Sequence, residues 1–327
     1  MLQSPDSYHD PVLLRECIES LVLGPGLYVD GTLGGGGHSL AILRKLEAEG
    51  WLERSLLVGI DQDDEALATA RRRLEPFGRS ALGVKGNFRD ILSLVSGEAR
   101  RLGMEPAAKG ILLDLGVSSR QIDSAGRGFS YMQDGPLDMR MDASAPLSAE
   151  DLLRDLDERE LASIMFRYGE EPRSRAIARA VVAAREKQGP LQTTKELAEV
   201  VRSVVHGRQH LIRSLSRVFQ ALRIAVNGEL DVLRQVLEDG VALLAPGGRM
   251  AVISYHSLED RMVKQFFAKQ SECDWGPKGV GLREPLSRGE LSLVTRKAVT
   301  ASEEEVRQNP RARSAKLRVA EKTGGVQ

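Results

Sequence analysis

Short apolar runs alternate along the chain with longer segments in which apolar residues recur every three or four positions. Four apolar runs come first and are predicted as strands: 26–30, 55–61, 81–87 and 110–116. The segments around them, such as 13–23 and 40–46, have the spacing of helices with one buried face. Strands that alternate with helices predict an α/β protein, in which helices cover both faces of a parallel sheet.

This alternation stops after residue 116. Roughly a hundred residues separate the fourth strand from a fifth at 249–254, which is far more than an ordinary connection. The intervening stretch contains three segments with helical spacing: 152–165, 176–186 and 194–205. We therefore expect a discontinuous sheet domain at 1–122 and 218–327, interrupted by an inserted helical domain at 123–217.

The C-terminal part completes the predicted sheet. A long helical pattern covers 218–244, and the residues Ala-Pro-Gly-Gly at 245–248 interrupt it before the fifth strand. Further on, 291–299 and 316–320 alternate between apolar and polar residues. This alternation predicts a final antiparallel pair of strands.

Composition and charge exclude several classes of protein. Hydrophobic residues make up 42% and charged residues 28% of the 327 residues, which fits a folded globular chain and not a disordered one. Lys plus Arg and Asp plus Glu number 46 each, so a histone-like protein is also excluded. Two cysteines, Cys17 and Cys273, are too few for a disulfide framework, and we expect a cytoplasmic location. Neither a signal peptide nor a run of roughly 20 apolar residues is evident, so no membrane association is expected.

Acids stand at the ends of three predicted strands: Asp30, Asp61 and Asp114. Open parallel sheets bind their ligands at this edge. Asp30 precedes a loop with four consecutive glycines at 34–37, where the absence of Cβ atoms lets a ligand approach the backbone. The candidate site is therefore the edge of the sheet at which these strands end.

The loop narrows the choice of ligand. Ser39 stands where a dinucleotide-binding loop would have its third glycine, and the Gly-Lys-Ser/Thr of a phosphate-binding loop is absent from the sequence here. Asp61 is placed to accept hydrogen bonds from both hydroxyls of a ribose. This combination favours S-adenosylmethionine, which has an adenosine but no phosphate. From these residues alone, a structural turn or another nucleotide cofactor remains the alternative.

Longer motifs resemble a known family. They are HDPVLL at 9–14, DGTLGGGGH at 30–38, LLDLGVSS at 112–119, RGFSY at 127–131, DGPLDMRM at 134–141, FQALR at 219–223, HSLEDR at 256–261 and NPRARS at 309–314. In this order, over nearly the whole chain, they are similar to the bacterial ribosomal RNA small subunit methyltransferases H. The resemblance implies a class I, Rossmann-like, S-adenosylmethionine-dependent methyltransferase sheet with an inserted helical substrate domain. It also implies methylation of N4 of a cytidine in the decoding region (P site) of 16S rRNA in the small ribosomal subunit, and it is compatible with a homodimer.

The resemblance further implies which residues bind the cofactor. The matching positions are Gly36, Gly37, His38, Asp61, Phe88, Asp114 and Gln121. Some family members have Arg where Gly35 stands, and Pro is frequent at the position of Arg120, but neither is a matched ligand position. Taken alone, Phe88 would more often be a core aromatic, and His38 could simply belong to the first turn of a helix.

Methylation of a cytosine amine requires a group that accepts hydrogen bonds from the amine as its charge develops. Asp114 at the end of the fourth strand is the first candidate. Many amino methyltransferases carry Asp/Asn-Pro-Pro-aromatic there, whereas this chain reads Asp-Leu-Gly-Val. Tyr131 and His256 are therefore further catalytic candidates, with packing and a structural hydrogen bond as their respective alternatives. We expect no metal, because the donor is already activated and no His/Cys ligand cluster appears.

Two stretches without acids suggest an RNA-binding surface despite the net charge of zero. The first covers 200–228 and the second covers 306–320. The arginines predicted to contact RNA are Arg208, Arg213, Arg217, Arg311 and Arg313. A solvated charged face is the alternative for either stretch alone. Aromatic residues make up 4% of the chain, which favours a single extruded base over extended stacking.

Two other functions remain open at this point. One is a methyltransferase of the same fold that acts on a small molecule or a protein, and it would work without RNA. The other is a non-catalytic ribosome-assembly factor, which would not bind S-adenosylmethionine.

Overall fold

The computed structural model describes residues 11–116, 124–276 and 285–324. The chain divides into two compact units. The first comprises Met1–Gly116 and Val232–Gln327, and the second comprises Val117–Asp231.

The described part of the first unit contains an eight-stranded sheet. Its strands are β1 (Leu27–Asp30), β2 (Leu56–Asp61), β3 (Ala81–Lys85), β4 (Ala108–Asp114), β5 (Leu244–Ser254), β6 (Leu291–Leu293), β7 (Val299–Thr300) and β8 (Lys316–Lys322). Their spatial order is β3-β2-β1-β4-β5-β8-β6, and β7 pairs with β8. The first five strands run parallel, whereas β8 is antiparallel to β5. This is the Rossmann-like methyltransferase sheet predicted from the sequence, with the strand order reversing between β1 and β4.

The α-helices alternate with these strands or follow one another in the second unit. They are α1 (Leu14–Leu21), α2 (Gly37–Ala48), α3 (Asp64–Leu74), α4 (Ile91–Arg101), α5 (Ala149–Asp155), α6 (Glu158–Gly169), α7 (Ser174–Gln188), α8 (Thr194–Val204), α9 (Arg208–Asn227), α10 (Glu229–Leu243), α11 (Ser257–Gln270) and α12 (Glu303–Gln308).

Both faces of the sheet are buried under helices. In β1, Leu27 and Val29 belong to one apolar cluster, which also contains buried residues of α4, α10 and α11. Tyr28 belongs to a second cluster, which contains buried residues of α1, α2 and α3. Alternate residues of one strand thus face two separate cores, as expected for a parallel sheet between two helical layers. The packing on both faces fixes the order of the strands, whose carboxyl ends share one edge of the sheet.

The second unit is helical and has an apolar cluster of its own. Helices α5 to α9 all contribute buried residues to this cluster. Capping boxes begin three of the helices, with Ser148, Asp157 and Thr193 as the capping side chains. At Gly169, α6 approaches α9 so closely that an added Cβ would lie 2.5 Å from the carbonyl oxygen of Arg217.

The second unit ends later than the sequence predicts. The predicted boundary at 217/218 falls inside α9, which continues without a break from Arg208 to Asn227. Val218, Phe219 and Leu222 beyond that boundary are buried in the cluster of the second unit. The helical pattern at 218–244 is also not one helix, because Gly228 has a φ of 59° and separates α9 from α10.

Two predictions for the C-terminal part need correction in detail. The break predicted at 245–248 lies within β5 as an irregularity of its pairing, because Leu244 pairs with Ala108, whereas Arg249 pairs with Gly110. The strand predicted at 291–299 is broken into β6 and β7. The backbone N–H groups of Val294 and Thr295 both donate to the carbonyl of Val319, so the chain turns there.

Candidate active site

Three carboxylates lie at one edge of the sheet. Asp30, Asp61 and Asp114 are the last residues of β1, β2 and β4. Because β1 lies between β2 and β4 and runs parallel to both, the three carboxyl ends are neighbours. The same edge carries the glycine turn that leads from β1 into α2.

Asp61 holds this glycine turn through its carboxylate. Its Oδ2 accepts a hydrogen bond of 2.8 Å from the backbone N–H of Gly34, and its Oδ1 accepts one of 2.9 Å from that of Asp63. Burial raises the pKa of Asp61, although these two backbone donors act in the opposite direction. Each carboxylate oxygen can accept more than one hydrogen bond, so the side chain keeps acceptor capacity for a ribose.

Asp30 has a different environment from Asp61. Its side chain is buried, and its Oδ2 accepts a hydrogen bond of 2.7 Å from the hydroxyl of Ser39. The backbone N–H of Thr32 donates to Oδ1 over 3.2 Å. These bonds tie the end of β1 to the start of α2, so Asp30 has a structural role at this edge.

The glycines at the start of α2 allow close packing there. Gly36 has a φ of 74°, and an added Cβ would lie 3.2 Å from Cβ of Ala70. A Cβ on Gly37 would lie 2.5 Å from Cγ of Pro11. The first N–H groups of a helix lack intrahelical partners and favour an anionic group, which suits the carboxylate of a methionine moiety.

Asp114 lies between a tyrosine and a histidine. The hydroxyl of Tyr255 donates a hydrogen bond of 2.8 Å to Oδ1, and Nδ1 of His38 lies 3.8 Å from Oδ2. The hydroxyl oxygen of Thr32 accepts a hydrogen bond of 2.6 Å from the backbone N–H of Asp114. Burial raises the pKa of the Asp114 carboxyl, whereas His38 and the Tyr255 hydroxyl oppose that rise. With 25% of its side chain exposed, Asp114 stays accessible to a ligand.

A backbone carbonyl orients the ring of His38 beside this carboxylate. Its Nε2 lies 3.1 Å from the backbone carbonyl oxygen of Val12. A carbonyl only accepts hydrogen bonds, so Nε2 carries the proton. Nδ1 is then the ring nitrogen on the Asp114 side. The histidine side chain is 7% exposed and joins the N-terminal segment to the glycine loop.

Phe88 follows β3 at the same edge. It begins a short 3₁₀ turn, Phe88–Asp90, and its ring is half-buried against the apolar cluster of α4. A Cβ added to Gly31 would lie 3.6 Å from Cβ of Phe88, which places the phenylalanine beside the end of β1. Gln121, the remaining predicted cofactor residue, lies outside the described residues.

Tyr131 packs against another side chain, and His256 caps a helix. The Tyr131 hydroxyl lies 3.0 Å from Oγ of Ser216, and its ring meets that of Phe219 edge-on at 5.5 Å between centroids. His256 caps α11, and its Nδ1 accepts a hydrogen bond of 3.4 Å from the backbone N–H of Glu259. These contacts correspond to the packing and capping alternatives considered from the sequence.

Tyr255 is the residue that sequence reasoning missed. It comes directly after β5, whose Ile253 pairs with Asp114 of β4. The position of Tyr255 in the sequence could have indicated this, because a residue that directly follows a parallel strand next to β4 lies at the same edge of the sheet. Tyr255 stands between two motifs without belonging to either, and its partner lies 141 positions away in the sequence.

Acids from elsewhere in the chain neutralise part of the two arginine stretches. Oε2 of the buried Glu171 lies 3.8 Å from the guanidinium of Arg217. This acid already balances part of the charge that Arg217 was predicted to offer to RNA. Arg311 also has an interaction partner. Arg208, Arg213 and Arg313 are exposed. An acid-free stretch of sequence is therefore not an acid-free surface, and the exposed arginines are the stronger candidates.

The edge fits S-adenosylmethionine on structural grounds. Asp61 ends β2 with acceptor capacity to spare, Phe88 follows β3, and α2 begins at Gly37 after the turn that Asp61 holds. No helix among the described residues is long and apolar enough to cross a membrane.

Comparison with known proteins identifies close relatives. The model of the MraW methylase family matches residues 6–323. A ribosomal RNA small subunit methyltransferase H from Chlorobium luteolum is 76% identical over 327 residues, which are 100% of both chains. The protein of that name from Chlorobium phaeovibrioides is 65% identical over 315 residues, or 96% of each chain. A solved rRNA methylase from Streptococcus thermophilus aligns over 99% of both chains with 10% identity and a TM-score of 0.39, too low to carry a structural argument. The sequence relatives confirm the resemblance predicted from the motifs.

Proposed function

Because the chain belongs to the MraW methylase family, we propose that it methylates N4 of a cytidine in the decoding region (P site) of 16S rRNA. Relatives at 76% and 65% identity are named ribosomal RNA small subunit methyltransferase H, which supports the small ribosomal subunit as the substrate. The motif resemblance supports the cytidine and its N4 atom. The reaction takes place in the cytoplasm, where ribosomal subunits are assembled.

S-adenosylmethionine is the cofactor, and when bound it supplies a methyl group on a positively charged sulfur. Asp61 holds the ribose hydroxyls, and Phe88 lies against the adenine. Gly36, Gly37 and the first turn of α2 receive the methionine end, whose carboxylate suits the N-terminus of a helix. The motif resemblance assigns Gln121 to the same cofactor-binding set.

The observation that carries the proposal is the position of the Asp114 carboxylate. It is partly exposed at the end of β4, where its Oδ1 is bound by Tyr255 and its Oδ2 faces His38. S-adenosylmethionine would supply its methyl group to the lone pair of N4 and leave as the neutral thioether, and the proton that N4 gives up would pass to water. Asp114 accepts a hydrogen bond from that N–H and stabilises the charge that develops on the nitrogen.

The helical unit recognises the RNA in this proposal. Arg208 and Arg213 on α9 are exposed cations, and arginine guanidinium groups bind phosphates in pairs of parallel hydrogen bonds. Tyr131 and His256 stay catalytic candidates by their motifs, while their contacts in the structure are packing against Phe219 and the cap of α11. The target base enters the site singly, since few aromatic side chains are available for stacking a longer strand.

Methyl transfer with labelled S-adenosylmethionine tests this function. Small subunits and free 16S rRNA from a bacterial strain that lacks this methylase are incubated with the protein, and the nucleosides are separated. We expect label in N4-methylcytidine, and a loss of at least about 100-fold with Asp114→Asn at saturating cofactor. The absence of labelled N4-methylcytidine from every assembly state of the subunit would refute the proposal.

A further inference from the structure

Tyr255 is held firmly at the end of β5. Its backbone N–H donates a hydrogen bond of 3.0 Å to Oε2 of Glu259, a residue that is 3% exposed. Its ring packs against the apolar cluster of α1, α2 and α3. A Cβ added to Gly116, whose φ is 100°, would lie 3.5 Å from Cδ2 of Tyr255. The hydroxyl is therefore presented to Asp114 by a side chain with little freedom to move.

The two oxygens of Asp114 have different environments. Oδ1 accepts the hydrogen bond of 2.8 Å from Tyr255. Oδ2 lies 3.8 Å from Nδ1 of His38, which is beyond hydrogen-bonding distance. In the ranges 11–116, 124–276 and 285–324, the structure gives Oδ2 no hydrogen bond. One oxygen is thus occupied, and the other is available to a ligand.

We propose that Tyr255 is a positioning residue for methyl transfer, which binds Oδ1 of Asp114 so that Oδ2 is presented to the substrate amine. The inference rests on the proposed function and extends it to a residue outside the motifs. The terminal torsion of an aspartate is soft, so the carboxylate would otherwise rotate and lose its alignment with the amine. A single strong hydrogen bond to one oxygen removes this freedom.

Tyr255 acts as a hydrogen-bond donor in this arrangement. Burial and the neighbouring Asp114 carboxylate both raise the pKa of Tyr255, so the hydroxyl keeps its proton. Its hydrogen bond favours the charged form of Asp114 and opposes the effect of burial on that carboxyl. Further titratable groups on the surrounding elements influence the pKa of Asp114. The titratable groups that face Asp114 are Cys17, Asp30, His38, Tyr255 and Glu259.

The sign of the expected pH effect follows from these contacts. Tyr255→Phe removes the hydrogen bond that lowers the pKa of Asp114 and leaves the burial that raises it. The pKa of Asp114 therefore rises in the variant. Because the ionised carboxylate is the form that accepts from the amine, the acid limb of the pH–rate profile moves to higher pH.

Two measurements on Tyr255→Phe test the inference. We expect kcat near neutral pH to fall about 10- to 100-fold, as for the loss of one hydrogen bond to a charged group, while the KM for S-adenosylmethionine changes much less. In parallel, ¹³C NMR of aspartate-labelled protein, with Asp114 assigned through Asp114→Asn, follows the carboxyl directly. Its titration should shift to higher pH in Tyr255→Phe.

Tyr28→Phe is the matched control. Its hydroxyl also donates a partly buried hydrogen bond of 2.6 Å, but the acceptor is the backbone carbonyl of Gly24. Gly24 precedes β1, at the opposite end of the strand from Asp30. This variant should leave both the pH–rate profile and the Asp114 titration unchanged.

Either of two results would overturn the inference: an Asp114 titration in Tyr255→Phe that matches the wild type, or a loss of kcat that is the same at every pH. The NMR titration needs no RNA. If the wild-type protein methylated no rRNA, the proposed function would fail, and the titration would still decide whether Tyr255 sets the state of Asp114.

Discussion

The backbone N–H of Gly34 donates a hydrogen bond of 2.8 Å to Oδ2 of Asp61. This bond connects the glycine turn after β1 to the end of β2, so the side chain proposed to bind the ribose also shapes the loop proposed to receive the methionine end. Cofactor affinity and loop geometry should therefore depend on the same carboxylate.

Asp61→Asn should weaken the binding of S-adenosylhomocysteine by at least about tenfold, because a charged acceptor of several hydrogen bonds is lost. The asparagine also has an NH2 group in place of one carboxylate oxygen, so one of the two backbone N–H groups that Asp61 binds would face another donor. Titration calorimetry measures the dissociation constant. Asp64→Asn is the control, since Asp64 follows the same strand but is 74% exposed and paired with Lys85. Equal affinities of both variants would contradict the ribose role of Asp61.

Gly36→Ala should lower both the free energy of unfolding and the affinity for S-adenosylhomocysteine. A left-handed conformation costs an alanine about 1–2 kcal/mol, and here the added Cβ also lies 3.2 Å from Cβ of Ala70. Gly103→Ala is a matched control, because Gly103 has a φ of 72° with nothing within 4 Å of the added Cβ. Urea unfolding of the two variants separates the contact from the conformational cost. An equal loss of unfolding free energy in both would show that the contact with Ala70 contributes nothing.

Asp260 links stability to pH through two basic partners on β8. Oδ1 accepts a hydrogen bond of 2.7 Å from Arg318, and Oδ2 accepts one of 3.0 Å from Lys316. Burial alone would raise the pKa of Asp260, but these partners outweigh it and hold the pKa below its ordinary value. A carboxyl with a lowered folded-state pKa stabilises the fold above its unfolded pKa, and this stabilisation is lost as the pH falls through the folded pKa.

Asp260→Asn should therefore reduce the free energy of unfolding by about 2 kcal/mol at pH 7. The difference from the wild type should persist down to about pH 4 and shrink below it. Urea unfolding at several pH values provides the curve. Asp64→Asn, which breaks an exposed pair, should change stability by less than about 1 kcal/mol at any pH. A constant difference for Asp260→Asn down to the acid limit would contradict the linkage.

The double variant Arg208→Gln/Arg213→Gln should bind small subunits more weakly. Each arginine that contacts a phosphate contributes about one unit to the slope of log affinity against log salt, so the slope should fall by about two. Arg217→Gln should have a smaller effect, because Glu171 already faces that guanidinium. Arg79→Gln, in the first unit and paired with Glu53, serves as the control. An unchanged salt slope in the double variant would place the RNA surface elsewhere.

The sequence predicts the five parallel strands well, because each contains a short apolar run, which is largely buried in every one of them except β3. It also predicts that Asp30, Asp61 and Asp114 share one edge, since that follows from parallel order alone. Their different environments could not be predicted. The buried carboxylate of Asp30 is bound by the hydroxyl of Ser39, whereas the partly exposed carboxylate of Asp61 is bound by backbone N–H groups. These hydrogen bonds form across the turn and cannot be read from the sequence.

Contacts between distant segments explain the other differences. The boundary of the helical unit was wrong because Val218 and Phe219 continue a helix whose packing partners lie elsewhere in that unit. The acid-free stretch at 306–320 looks uniformly basic, but Lys316 and Arg318 both pair with Asp260 of α11, which balances one of their two charges. Periodicity and local charge carry no information about such pairs.

The proposed reaction is defined by its product, a P-site cytidine that carries the methyl group on N4. Mass spectrometry of nuclease fragments of 16S rRNA tests it most directly, using subunits methylated by this protein and compared with standards for each methylcytidine isomer. We expect N4-methylcytidine in a decoding-region fragment, with none after incubation with Asp114→Asn. Methylation confined to C5 or to another region of the rRNA would contradict it.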